Sequence, residues 1–108
     1  MFFAIAMLLS AQDPVITTNQ AYNDCLMKLT VSSLDEKKSE KEFIAAANDV
    51  CASQRDAYRA AVVKSEREFG SSQADAASYA DEEIANILAM MKNNYANYSE
   101  SNTRPVLR

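Results

Sequence analysis

Cys25 and Cys51 are the side chains in this sequence best suited to defined chemistry, and no histidine accompanies them. A thiol pair can close a structural disulfide, cycle redox equivalents or ligate a soft metal such as Cu(I). Redox-active pairs are usually close in sequence, as in C-x-x-C, with a tuned and accessible thiolate. Here the separation is 26 positions, which favours a staple. A copper site built from Cys25, Cys51, Met27, Met90 and Met91 meets a geometric objection: Met90 and Met91 are adjacent, so they diverge on a helix. Methionine at a core position is ordinary gap-filling.

The remaining chemistry would have to come from carboxylates. Asp81, Glu82 and Glu83 are consecutive and Asp75 precedes them. General acid–base work needs a cleft that shifts carboxyl pKa values, and consecutive acids point in different directions around a helix. They read as a solvated acidic face. Without histidine, a Ser-His-Asp or Cys-His site and a His-containing zinc site are excluded. No enzyme activity, cofactor or metal is expected.

The chain has a formal net charge of −4, and 24% of its residues are charged. Lys37, Lys38, Lys41, Arg55, Arg59, Lys64 and Arg67 are interleaved with acids, the pattern of a solvated helix face. Phosphate binding needs clustered Lys and Arg, so nucleic acid is not an expected partner. Residues 1–11 are almost wholly apolar and end abruptly at Gln12-Asp13-Pro14. That run is too short for a bilayer, which takes about 20 residues in a helix. It suits the apolar region of a signal peptide, although no basic residue precedes it and Leu9 stands where a small residue is preferred. Export to the periplasm or medium, with no stable membrane span, is the expectation.

These side chains must be positioned by helices. Gly70 is the only glycine, and Pro14 and Pro105 lie near the two ends. Such a composition favours helix nearly throughout. Asp13-Pro14 reads as an N-cap followed by proline at the first helical position. Val15, Tyr22, Cys25, Leu26 and Leu29 then make one apolar stripe, predicting a helix over 14–32. Two capping boxes follow, Ser33-x-x-Glu36 and Ser39-x-x-Glu42. Either opens a second helix, placed at 36–69, whose stripe runs from Phe43 through Val50, Cys51, Tyr58 and Val62 to Phe69. Gly70 suits its left-handed end. A third helix over 72–96 carries Ala77, Ala80, Ile84, Ile87, Leu88, Met91 and Tyr95. Residues 97–108 read as a flexible tail around a single domain at 12–96. The fold class is all-α: a three-helix bundle, or a long helical hairpin with a third helix packed back, stapled by one disulfide.

The cysteines act as a ruler. Residues facing each other across an antiparallel hairpin are equidistant from its turn. Cys25 and Cys51 are centred on residue 38, beside the predicted turn, and both lie on apolar stripes. A Cys25–Cys51 disulfide is therefore expected. The same reasoning about a turn near residue 71 sets Tyr58 near Ile84 and predicts a cross-helix ion pair between Arg59 and Glu83. Tyr22 and Tyr58 read as core residues with hydroxyls reaching the edge. The functional expectation is an exported helical protein acting through contact with another protein or with itself, homodimer included. The alternative is a ligand or metal-ion binding module for copper or a divalent cation.

Overall fold

Asp13 starts the first helix: its Oδ1 accepts the Val15 N–H at 2.9 Å, with Pro14 in the first turn. The computed structural model describes residues 13–107, and residues 1–11, expected to be a signal peptide, lie outside them. The described chain is all-α, with four helices: α1 (Pro14–Asp35), α2 (Glu40–Val50), α3 (Ala52–Glu68) and α4 (Gln73–Ser101). They form a helical bundle in which α1 and α4 pack on α3, and α2 touches both α1 and α4.

α1 runs past its expected end to Asp35 because Ser33 and Leu34 turn inward and are buried. It closes on Lys37, which takes a left-handed backbone (φ 56°). There the Lys37 and Lys38 N–H groups donate to the carbonyls of Leu34 and Ser33. The first capping box is thus consumed inside α1. The second opens α2 at Glu40 rather than at residue 36.

The single helix expected over 36–69 is interrupted at Cys51. Beside the interruption, the Arg55 Nη1 donates to the Asn48 carbonyl at 3.1 Å. A side chain supplying a main-chain carbonyl is a recognised cause of a helix break. α3 ends at Gly70 (φ 104°) with a Ser71 N–H bond back to Glu66, as the glycine predicts.

α4 continues to Ser101, beyond the expected 96, and closes on left-handed Asn102 (φ 55°). Tyr98 extends the Met91–Tyr95 stripe by another turn and packs against the core. Of the tail expected to be flexible over 97–108, the described residues are helical to Ser101 and then fold back. Arg104 meets Asp35 of α1 at 2.9 Å, and Pro105 is buried.

The core gathers Tyr22, Leu26, Phe43, Cys51, Tyr58, Ile84, Met91 and Tyr95 around the small residues Ala47 and Ala80. Buried alanines let helices approach closely. Tyr22 stacks on Tyr58 with ring centroids 6.3 Å apart. Its hydroxyl does not reach the edge. Tyr22 is fully buried, and that oxygen finds no hydrogen-bond partner among the described residues. Burial accordingly pushes the phenol above its ordinary pKa.

Candidate functional site

Cys25 and Cys51 are bonded to each other, with Cα atoms 5.9 Å apart. Cys51 is fully buried, whereas Cys25 is half-buried in a shallow groove beside Leu29, Val50 and Gln54. With both sulfurs in the disulfide, neither is a free thiolate for nucleophilic or metal chemistry. Met91 is in the core and Met90 is 51% exposed, so the two diverge as adjacent helical residues must.

Arg59 does cross from α3 to α4, but its partner is Asp81. The Arg59 guanidinium donates to both Asp81 carboxylate oxygens, at 2.7 and 3.4 Å. The expected partner, Glu83, lies about 200° further round the helix. Its charge falls on Tyr79 instead, and is the main cause raising that phenol's pKa. The Arg59 hydrogen bond holds the Asp81 carboxyl below its usual range. Nothing about this exposed pair suggests catalysis; it registers α4 against α3.

An open groove lies between α2 and α4. Ser39 sets the start of α2 through a complete capping box. Its Oγ accepts the Glu42 N–H at 3.1 Å, and Glu42 Oε1 accepts the Ser39 N–H at 2.9 Å. The Ser39 N–H, with help from the Ser39 hydroxyl, holds the Glu42 carboxyl below its usual pKa. Phe43, one residue on, stacks on Tyr95 of α4 with centroids 4.4 Å apart. These contacts fix the two helices and leave a groove of about 640 Å³ open to solvent. Ile44, Leu88 and Ala89 form its apolar part, and Ser39, Glu40, Lys41 and Lys92 complete its lining. Lys41 and Lys92 make no ion pair among the described residues.

The sequence reading placed Leu88 on the α4 stripe but assigned Ile44 to no face. Ile44 beside Phe43 was the available signal, since two adjacent large apolar residues cannot both face one core. No family model, curated protein or solved structure matches the chain.

Proposed function

We propose that this chain is a small exported helical protein that acts by contact with another protein, in a structural, inhibitory or chaperone-like role. The observation carrying this reading is the α2–α4 groove. It joins apolar side chains and two lysines in a wide, open trough. A small-molecule site normally encloses most of its ligand, whereas a protein interface needs an exposed apolar centre with a polar rim. Export is supported by the disulfide, which persists in oxidising compartments and is rare in the cytosol. The alternative, a ligand or metal-ion binding module, would have to work without the cysteine sulfurs.

Two measurements test the proposal. The intact mass of the non-reduced protein from its native host should lack residues 1–11 and be two hydrogens lighter than the reduced form. A photo-crosslinking side chain at Ala89, in the groove, should capture a protein in that host. The same probe at Glu68, on the far part of α3, should not. Equal or absent capture at both positions would remove the proposal.

A further inference from the structure

α4 presents a second pattern on the side away from the core. Ser78, Glu82, Ala85, Ala89, Lys92 and Ala96 recur at alternating steps of four and three, the spacing of a helix–helix seam. The first five are exposed and Ala96 is half-buried. The apolar groove of Ile44 and Leu88 runs along one flank of this line. Met90, 51% exposed, stands on the other.

The line is complementary to itself when reversed. About position 87 as centre, Glu82 lies opposite Lys92, Ala85 opposite Ala89, and Ser78 opposite Ala96. Glu82 and Lys92 are about 15 Å apart along the helix, so they cannot pair within one copy. Neither makes an ion pair among the described residues. We infer that the α4 face and its adjoining groove dock a second copy of this chain, with the two α4 helices antiparallel about a two-fold axis that passes between Ala85 and Ala89 on the exposed face. This inference rests on the protein-contact reading and names the partner.

The two-fold axis makes each contact occur twice. Glu82 of each copy meets Lys92 of the other, giving two ion pairs at the ends of the interface. The alanines at the centre admit close approach of the two helix backbones. Leu88, one position from the axis, comes to the same side as its counterpart, so the two grooves merge into one apolar strip. An acidic chain can associate with itself here because this stretch of α4 carries a cation and an anion at matched distances from the centre.

Sedimentation equilibrium on the full chain, up to about 1 mM, should show a reversible monomer–dimer mixture. Glu82→Lys alone and Lys92→Glu alone should each weaken the dimer roughly tenfold, because each puts like charges together in two symmetry-related places. The combined E82K/K92E variant should restore wild-type association. Both positions are exposed, and unchanged helical circular dichroism would confirm folding in every variant. A monomer at the highest concentration, single variants that associate like wild type, or a double variant that fails to recover would each overturn the inference. The photo-crosslinking probe at Ala89 separates the two levels of argument. A monomeric chain that captures a different protein overturns the second copy and leaves the protein-contact reading standing. A monomer that captures nothing removes both.

Discussion

The Tyr95 hydroxyl donates to the main-chain carbonyl of Lys38 at 2.6 Å, tying α4 to the turn between α1 and α2. The same ring stacks on Phe43, so one side chain ties α4 both to the α1–α2 turn and to α2. Tyr95→Phe keeps the ring and removes the bond, and should cost about 1 kcal/mol. Tyr95→Ala also opens a cavity at a position that is 1% exposed, and should cost about 3–5 kcal/mol. Urea unfolding checks both. Equal losses would show that the hydroxyl, not the stack, is what matters.

The disulfide should dominate the stability of so short a chain. Joining positions 26 apart restricts the unfolded ensemble by about 3.5 kcal/mol in the chain-entropy account. A Cys25→Ser/Cys51→Ala double variant should unfold at a markedly lower urea concentration than the oxidised parent. Reductant should destabilise the parent and leave the variant unchanged. A parent insensitive to reduction would mean that packing around Cys51 carries the fold without the bond.

Lys37 offers a stabilising substitution. It is held at φ 56°, a conformation that costs a residue with a Cβ about 1–2 kcal/mol. Lys37→Gly removes that cost and gives back part of it in unfolded-chain entropy. The expected net gain is about 0.5–1 kcal/mol, read as a higher unfolding midpoint with an unchanged urea slope. A loss would mean that the lysine side chain itself holds the turn.

Local features of this architecture were legible where one residue type dictates one backbone geometry. Gly70 ends α3, Asp13-Pro14 starts α1, and the centre of the cysteine pair at 38 falls in the observed turn between α1 and α2. What escaped depends on side chains that meet through space. The break at Cys51 accompanies Arg55 reaching back to the Asn48 carbonyl. The tail docks on α1, where Pro105 is buried and Arg104 meets Asp35, 69 positions away. The Arg59 partner was misassigned because the turn fixes helix register only to within about a turn. Asp81 and Glu83 are two positions apart, inside that margin, yet point about 200° apart around the helix. The α2–α4 groove was missed for a related reason: Ile44 belongs to no stripe of its own helix and gains meaning only when α4 lies beside it.

The folded-back tail should act as a strap on α1. Arg104 pairs with Asp35, Pro105 is buried, and Leu107 borders Met27 and Lys28. The ion pair is exposed, so Arg104→Ala alone should cost under about 0.5 kcal/mol. Truncation after Thr103 also removes the apolar contacts and should cost about 1–2 kcal/mol. Hydrogen exchange should then accelerate around Met27 and Asp35 and leave α3 unchanged. Unaltered exchange in α1 would show that the tail contributes nothing there.

Stability should fall at both ends of the pH range, through different residues. Arg59 lowers the Asp81 carboxyl and the Ser39 bonds lower that of Glu42. A carboxyl depressed in the folded state contributes stability above its unfolded value of about 4, and that contribution is lost as pH falls through the folded value. An E42Q/D81N variant should therefore start less stable at neutral pH and show a shallower decline on acidification. Both groups are exposed, so the change in slope should be modest. The alkaline limb has the opposite sign. Burial raises the phenols of Tyr22 and Tyr95, so each stays neutral in the fold after its unfolded counterpart begins to ionise near pH 10. Their contribution is full below that pH and is lost as pH rises through the folded values. Tyr95→Phe should flatten the alkaline decline and leave the acid limb as it was. Urea midpoints from about pH 2 to about pH 11 resolve the two limbs. A Tyr95→Phe profile parallel to wild type above pH ~10 would show that this phenol ionises in the fold as readily as in the unfolded chain.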